Sequence, residues 1–419
     1  MSLYEVADGI LETHVTWQDV ETNLQRNLET KARFGENKKA TNISDMKGFM
    51  SRIALIEPDW VGVEDGKRLP ERFIVKICSQ LPLFNISKIL NLEGDGASSG
   101  EEKMKKLSKL SRECHNREIE AYKLLQKFNH PDVPYTKVYA LKSFDNNEDL
   151  KGYFVADFIP NVHTTLMFES IPAEELLSIV RGIATFAALG ESLTAEERSV
   201  AGGPEYLDLL FEEFFDTASL RKNFDALRTA FGEEYTEKVE RIIDIFWHYI
   251  GISKKYSRIA ALLGFKLILS HGDLWQANML HSLSEDGTRK LEAMIDWQGM
   301  STMPAGNDLS RLLIGCLSTQ DRRQRGKELI QLYCDTFNKT IGKEVLPFQE
   351  VFDSYSLFAP VTSVLILPGI MPFLDQAQMP EQEKAEMKKK GMEKMVGILE
   401  DILDVHDYNR EHFAEFLEI

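Results

Sequence analysis

The residues best suited to chemistry lie between positions 267 and 297, where short apolar segments flank a polar loop. In this loop Asp273 follows His271 by two residues, and Asn278 follows Asp273 by five. Asp296 closes the second apolar strand. Mg²⁺ prefers hard oxygen ligands, and an acceptor hydroxyl needs a nearby base. The spacing therefore indicates phosphoryl transfer, with Asn278 and Asp296 as Mg²⁺ ligands and Asp273 as the base.

The segment HGDLWQAN, followed by IDWQ, resembles the catalytic loop of the choline kinase and aminoglycoside phosphotransferase superfamily, and more closely that of its CHK-like, ecdysteroid-kinase-like branch. The order of the residues and the spacing from Asp273 to Asn278 agree with that superfamily. The resemblance implies a protein-kinase-like fold with ATP and Mg²⁺ as cofactors. It also implies that Asp273 is the catalytic base, while His271 supports the loop through a hydrogen bond. A buried His–Asp pair in a polar turn is the alternative interpretation.

Length and composition limit the classes of protein to consider. A chain of 419 residues is too long for one core and predicts two or three domains. The formal net charge of -17 argues against a general nucleic-acid binder, because affinity for the phosphate backbone comes from clustered Lys and Arg. The cysteines have no CxxC spacing, so we interpret them as reduced packing residues of a cytoplasmic protein. They are Cys78, Cys114, Cys316 and Cys334.

Neither a secretory signal nor a membrane span is predicted. The N-terminal segment MSLYEVADGILETHVTW lacks a basic region and a continuous apolar core. The longest apolar stretch, residues 358–374, is interrupted by three prolines and is shorter than the roughly 20 residues that a span requires. We expect it to form a buried helix with a kinked end.

A first candidate for nucleotide binding is the hairpin predicted near residues 46–56. Gly48 and Ser51 lie at its tip, where a glycine lets backbone N–H groups approach phosphates closely. An ordinary hairpin turn is the alternative. The segment KGFMSRI looks like the modified phosphate loop of the CHK-like branch, and this resemblance implies that Gly48 and Ser51 contact the nucleotide.

A second candidate is Lys76, which lies inside an otherwise apolar strand predicted at residues 72–77. Burying a lysine is costly unless a negative group meets it, although on an edge strand it would remain in solvent. A Gly/Ser-rich loop at 91–100 precedes a helix predicted over 101–128, which carries Glu118 among other acidic residues. In the related kinases a strand lysine contacts the phosphates and pairs with a helix glutamate, so the resemblance pairs Lys76 with Glu118.

The chain then leaves the predicted sheet at Pro160, after two further short strands within residues 137–158. In the related kinases this connector offers main-chain N–H and C=O groups to adenine. The resemblance therefore implies adenine contacts at Asp157, Phe158 and Ile159.

From about Glu174 onward the pattern changes to long amphipathic helices. We therefore predict an α+β protein with a protein-kinase-like, two-lobed fold. Residues 1–160 would form a nucleotide-binding lobe, an antiparallel sheet with a helix. Residues 161–419 would form a mostly helical lobe with the catalytic loop and the acceptor site. Asp308 begins a helix and is expected to be its N-cap, and the resemblance adds that it braces the catalytic loop.

Taken in chain order, Lys76, Glu118, Asp273, Asn278 and Asp296 follow the order of the protein-kinase-like fold. We expect an enzyme that transfers the γ-phosphate of ATP to a hydroxyl of a small molecule. An amino alcohol, a steroid-like alcohol and a sugar-like acceptor are all compatible with the sequence.

Two alternative functions stay open. A protein kinase is disfavoured because only eleven residues separate Asp296 from Asp308, which leaves no room for a long activation segment. Gln298 stands where choline kinases carry an acid, which weakens a choline assignment in particular. A nucleotide-binding pseudokinase that acts as a scaffold is the alternative from another class, although all five polar positions are present.

Overall fold

The computed structural model describes residues 2–44, 50–82, 97–214, 217–377 and 379–419. The chain divides into two compact units. The first comprises residues 1–127 and 135–161, and the second comprises 128–134 and 162–419. Residues 128–134 thus lie with the helical unit, whereas the sequence analysis assigns them to the N-terminal lobe.

The first unit is built on an antiparallel sheet. Its strands are β1 (Arg33–Phe34), β2 (Lys39–Asn42), β3 (Ser51–Glu57), β4 (Trp60–Val61), β5 (Phe73–Cys78), β6 (Val138–Lys142) and β7 (Tyr153–Asp157), and its helices are α1 (Trp17–Asn27) and α2 (Ala97–Phe128). Five strands form one sheet in the order β2-β3-β5-β7-β6, and β1 pairs with β4 separately. Strand β5 is therefore the central strand of the larger sheet.

The two faces of β5 have different environments because side chains alternate along a strand. Phe73, Val75 and Ile77 are fully buried in a cluster with Val20 and Leu24 of α1. Lys76 is out of phase with these three residues and belongs to the opposite face of the sheet. The edge-strand alternative for Lys76 is wrong, since Ile53 of β3 and Phe154 of β7 flank it on both sides.

Helix α2 is longer than the sequence pattern predicts. It begins at Ala97, so residues 97–100 of the predicted loop are helical, and residues 91–96 lie outside the described residues. Each residue added to an existing helix gains one hydrogen bond, which permits extension into small residues.

The second unit is mostly helical. Its helices are α3 (Ala173–Leu189), α4 (Ala195–Ala201), α5 (Tyr206–Phe214), α6 (Thr217–Ala230), α7 (Thr236–Gly251), α8 (Ile259–Leu263), α9 (Gly306–Cys316), α10 (Thr319–Ile341), α11 (Phe348–Ile366), α12 (Ile370–Gln376), α13 (Glu381–His412) and α14 (Ala414–Leu417). Side chains from α5, α6, α7, α11 and α13 share one large apolar core. The predicted α+β class, with an antiparallel sheet followed by a helical C-terminal part, is confirmed.

Four short strands interrupt the helices of the second unit. They are β8 (Ile268–Ser270), β9 (Met279–Leu283), β10 (Arg289–Met294) and β11 (Ser301–Met303). Strands β9 and β10 form an antiparallel hairpin, and β11 pairs with β8. These two pairs frame the polar loop on which the sequence analysis centres.

The long apolar stretch of the C-terminal half is largely buried. Within the described residues, the helical stretch Phe348–Asp375 has the length and apolar composition of a membrane span, but 67% of its most apolar window is buried in the protein. Core helices of globular proteins meet the same two criteria, so the stretch is weak evidence for a span. Pro360 lies inside α11, which ends in a turn of 3-10 helix at Leu367–Gly369.

We expect a pH-dependent stability from His115 of α2, which is 5% exposed. Burial lowers the pKa of His115 to about 4 from an ordinary 6.5. Between these values the unfolded chain binds the proton and the folded chain does not, so stability falls as the pH falls through this window. From pH 7 to pH 5, wild type should lose about 2 kcal/mol more unfolding free energy than His115→Gln.

Urea denaturation at the two pH values measures this difference. His412→Gln, which replaces an exposed histidine, is the matched control and should keep the wild-type pH dependence. Equal losses in wild type and His115→Gln would contradict the prediction.

Candidate functional site

The polar loop between β8 and β9 depends on one glycine. Gly272 has a φ of +83°, in the left-handed region that favours glycine. A Cβ at this position would lie 1.9 Å from the carbonyl oxygen of Gly299. Both the backbone angle and the close approach therefore exclude a side chain here, and the loop passes directly against the turn that follows Asp296.

Asp308 holds the start of this loop. Its Oδ2 accepts a hydrogen bond from the His271 N–H at 2.7 Å, and its Oδ1 accepts one from the Gly272 N–H at 2.8 Å. The Asp308 side chain is buried, so these charge-assisted bonds fix the loop backbone firmly. The predicted N-cap role is wrong, because α9 begins at Gly306 with Ala305 at the N-cap position. The bracing role implied by the resemblance is present in the structure.

His271 is fully buried and uses both ring nitrogens inside the protein. Its Nε2 lies 3.1 Å from the carbonyl oxygen of Ile295, and its Nδ1 lies 3.3 Å from the Asp273 N–H. A carbonyl oxygen only accepts, so Nε2 carries the proton and Nδ1 accepts from Asp273. Burial also lowers the pKa of His271, which favours the neutral ring. This arrangement suits a structural support and leaves neither nitrogen for an acceptor hydroxyl.

The carboxylate of Asp273 is held by a cation. Its Oδ1 lies 2.5 Å from Nη2 of Arg311, a residue of α9. Its Oδ2 lies 3.5 Å from Nδ2 of Asn278, at the outer limit of a hydrogen bond. Burial raises the pKa of Asp273, and the positive charge of Arg311 opposes that rise. Asp273 therefore presents one firmly held oxygen and one loosely held oxygen.

Asn278 and Asp296 lie beside each other at the ends of two paired strands. Asn278 precedes Met279, Asp296 follows Ile295, and the Ile295 N–H donates to the Asn278 carbonyl oxygen at 3.0 Å. The Asn278 Nδ2 donates to the Asp273 carbonyl oxygen at 2.8 Å, which leaves its Oδ1 as the side-chain oxygen for a cation. Asp296 has a φ of 63°, an uncommon conformation for a residue other than glycine.

These donors fit Mg²⁺ that is shared with a phosphate. One carboxylate and one amide oxygen are hard ligands, and Mg²⁺ commonly takes only one or two ligands from protein and the rest from phosphates and water. Throughout the described parts of the chain, no group of three or more His, Cys, Asp or Glu side chains is arranged to hold a metal alone. The residues at the site therefore suit a nucleotide-bound cation better than a resident structural metal.

In the first unit, Lys76 and Glu118 form the predicted pair. The Lys76 Nζ lies 2.9 Å from Oε1 and 2.8 Å from Oε2 of Glu118. Side-chain exposures are 11% for Lys76 and 2% for Glu118, so both charges are shielded from water. Such a pair needs good geometry to offset desolvation, and this one has two short contacts.

The remaining predicted nucleotide residues of the first unit stay predictions, and the structure shows the position of some of them. Ser51 begins β3 opposite Cys78, while Gly48 lies outside the described residues. The Asp157 N–H donates to the Lys137 carbonyl oxygen at 2.8 Å, and the Phe158 N–H donates to Oδ1 of Asp157 at 3.1 Å.

These hydrogen bonds bear only on the donor half of the predicted adenine contact. The main-chain N–H groups of Asp157 and Phe158 already have partners within the protein, so neither is available as the predicted donor to adenine. The prediction also offers main-chain carbonyl oxygens to adenine, which these two hydrogen bonds do not involve, so the contact at Asp157, Phe158 and Ile159 stays a prediction.

Two further features of the second unit have no counterpart in the sequence analysis. One is the Arg311 contact to Asp273. The other is a buried cluster in which Nε2 of Gln276 and Nζ of Lys394 both lie within hydrogen-bond distance of the same three carbonyl oxygens. Those carbonyls belong to Met167, Glu169 and Gly315. The i, i+3 spacing of Asp308 and Arg311 is a sequence signal from which a role for Arg311 could have been predicted. Lys394 lies among several lysines of α13, and no sequence pattern distinguishes it from them.

Comparison with known proteins gives one family and several distant relatives. Residues 3–410 match the DUF1679 family model, described as "Uncharacterized oxidoreductase dhs-27". The chain is 22% identical over 267 residues to the Caenorhabditis elegans protein of that name, covering 60% of this chain and 31% of that protein. It is 23% identical over 273 residues to the "Uncharacterized kinase-like protein D1044.1" of Caenorhabditis elegans, covering 61% of this chain and 67% of that protein. The chain thus spans less than a third of the first relative.

Two solved structures illustrate a distant similarity. The Plasmodium vivax ethanolamine kinase is 11% identical, with 87% of this chain and 82% of that chain covered and a TM-score of 0.41. A microcompartment-associated aminopropanol kinase is 13% identical, with 90% and 95% covered and a TM-score of 0.43.

We expect Lys76→Met to destabilise the first unit strongly. The substitution removes the cation that faces a buried carboxylate, and breaking a buried pair in this way costs about 3–5 kcal/mol. Lys76→Met combined with Glu118→Met should recover most of that loss, because the second change removes the buried charge. Thermal and urea unfolding measure both variants.

The matched control is Lys123→Met, which breaks the more exposed pair of Lys123 with Glu120 on the same helix. An exposed pair of this kind contributes about 0–1 kcal/mol. If Lys76→Met and Lys123→Met had equal effects, the buried pair would not have the importance assigned to it.

Proposed function

The chain belongs to the DUF1679 family, and we propose that it is an ATP-dependent phosphotransferase of the choline kinase and aminoglycoside phosphotransferase superfamily, acting on a hydroxyl of a small molecule. The observation that carries the proposal is the set Asp273, Asn278 and Asp296. One loop and one hairpin hold a base candidate beside two hard-oxygen ligands. Within the first unit, the Lys76–Glu118 pair is the candidate for nucleotide binding.

Nucleotide binding is assigned to Lys76. A lysine fixed by a buried glutamate keeps its ammonium group in one place, and an ammonium group is a suitable partner for the α and β phosphates. Glu118 acts through Lys76 and touches no substrate in this proposal. Ser51 and Ile159 are further proposed contacts, to phosphate and adenine respectively.

Metal binding is assigned to Asn278 and Asp296. When bound, Mg²⁺ neutralises charge on the phosphate oxygens. Asn278 would supply its Oδ1, since its Nδ2 is turned toward the Asp273 carbonyl oxygen. Asp296 would supply a carboxylate oxygen from a position two residues after β10. The left-handed backbone of Asp296 fits a functional constraint, because such conformations cost about 1–3 kcal/mol and persist where the surroundings impose them.

Asp273 is assigned the role of the base that accepts the proton of the acceptor hydroxyl. The hydroxyl oxygen attacks the γ phosphorus and forms the new P–O bond, and the bond between that phosphorus and the β–γ bridging oxygen breaks to release ADP. The hydroxyl proton passes to the Asp273 carboxylate. Oδ2 is the candidate proton acceptor, because Arg311 already occupies Oδ1.

A small acceptor is favoured over a peptide. The residues between Asp296 and Asp308 form a 3-10 turn, the strand β11 and the start of α9. No extended segment follows Asp296, so a protein kinase would lack its usual peptide platform. Amino alcohols, steroid-like alcohols and sugars are the acceptor classes to screen.

We expect Asp273→Asn to lower phosphotransfer by about 10²–10⁴-fold, the usual contribution of a general base. ADP affinity should stay within about twofold of wild type, because Asp273 makes no proposed nucleotide contact. Transfer from γ-labelled ATP to an acceptor panel measures turnover, and calorimetry measures ADP binding. Asp286→Asn, in the exposed β9–β10 turn, is the matched control.

Two outcomes would contradict this function. Full turnover in Asp273→Asn would remove Asp273 from the role of base. Nucleotide binding by wild type without transfer to any acceptor class would instead favour the pseudokinase scaffold.

We expect Asp296→Asn to raise the Mg²⁺ concentration needed for half-maximal turnover, because an amide oxygen is a weaker ligand than a carboxylate. The thermal stabilisation by ADP should also lose most of its Mg²⁺ dependence. Stabilisation by ADP in the absence of Mg²⁺ serves as the control and should be unchanged. An unaltered Mg²⁺ requirement would exclude Asp296 as a ligand.

A further inference from the structure

Arg311 forms an ion pair with the proposed base, Asp273. Its Nη2 lies 2.5 Å from Oδ1 of Asp273, and the two side chains are 21% and 23% exposed. The pair is thus partly shielded, unlike the fully solvated ion pairs whose contribution is usually small. Guanidinium groups bind carboxylates through a rigid planar fork, which fixes the orientation of the carboxylate as well as its position.

Arg311 and Asp308 act from the same helix. They are three residues apart on α9, a spacing that puts both side chains on one helix face. Asp308 binds the N–H groups of His271 and Gly272, so the helix already fixes the loop backbone without Arg311. Arg311 adds a contact to the next residue of the loop, and this contact reaches only the side chain of Asp273.

The two oxygens of Asp273 consequently differ. Oδ1 has a short contact to a cation, whereas the distance from Oδ2 to Nδ2 of Asn278 is 3.5 Å. A loosely held carboxylate oxygen can accept a new hydrogen bond without losing a good one. A carboxylate without the Arg311 contact could rotate and exchange the two oxygens.

We propose that Arg311 is a positioning residue of the phosphotransferase: it holds Oδ1 of Asp273 so that Oδ2 faces the acceptor hydroxyl. This inference rests on the proposed function and assigns Arg311 no contact with substrate. The effect is on the chemical step, because displacements of about 1 Å at a reacting group can cost about 10²-fold in rate.

The test compares Arg311→Met and Arg311→Lys in the full chain, with the acceptor found by the screen. Arg311→Met should lower kcat by about 10–100-fold, with the KM for ATP within about twofold of wild type. Arg311→Lys should lie between Arg311→Met and wild type, because an ammonium group keeps the charge without the planar fork. Arg323→Met breaks another Arg–Asp contact, to Asp401, and is the matched control with unchanged kcat.

A double variant separates positioning of the base from other roles. In the Asp273→Asn background, Arg311→Met should cause little further loss of the residual turnover, since both changes affect one catalytic unit. An equal loss in both backgrounds would overturn the proposal. Wild-type kcat in Arg311→Met would also overturn the proposal. A raised KM for ATP with kcat preserved would overturn it too, and would indicate that Arg311 contacts a phosphate of ATP.

Crystal structures of wild type and Arg311→Met give a readout that needs no turnover. One Asp273 orientation in wild type and more than one in the variant would support positioning, and the same single orientation in both would overturn it. If wild type transferred phosphate to no acceptor, the proposed function would fail, and these two structures would still decide whether Arg311 orients Asp273.

Discussion

The polar loop between β8 and β9 depends on one carboxylate that accepts hydrogen bonds from two backbone N–H groups. Asp308 binds the N–H groups of His271 and Gly272 from the first turns of α9. A buried carboxylate is stable only with such partners, and the loop N–H groups would otherwise lack acceptors. The left-handed backbone of Gly272 and its close approach to Gly299 restrict the conformation of the same part of the loop. The backbone at His271 and Gly272 is therefore held by hydrogen bonds to the Asp308 side chain and by the close approach to Gly299.

Three shielded cations of the described residues each meet a partner from a different part of the chain. Lys76 of β5 meets Glu118 of α2, and Arg311 of α9 meets Asp273. Lys394 meets three carbonyl oxygens instead of a carboxylate, and burial lowers the pKa of Lys394 to about 7. The carbonyl dipoles favour its protonated form, which limits the cost of burying the ammonium group.

The sequence predicted those features whose signals are local. The spacing of Asp273 and Asn278 is contained in one loop, and the apolar run around Lys76 is contained in one strand. Partners at long range were harder to predict. Helix α9 begins three residues earlier than an N-cap at Asp308 would place it, and the Gly306 N–H at its start donates to Oγ of Ser354 at 3.0 Å. Similarly, the Asp157 N–H is used by the carbonyl oxygen of Lys137, a partner that no local pattern reveals.

The segment between Asp296 and Asp308 explains why the proposed metal ligand and the loop brace must be considered together. It pairs Ser301 of β11 with Ser270 of β8, immediately before the loop, and then enters α9. The chain thus leaves the loop through β9 and β10, passes Asp296 and returns to hold the loop through Asp308. An insertion in this closed path would displace both aspartates, whereas insertions in the β9–β10 turn would displace neither. The short path therefore favours a fixed site for a small acceptor over a movable segment that binds a peptide.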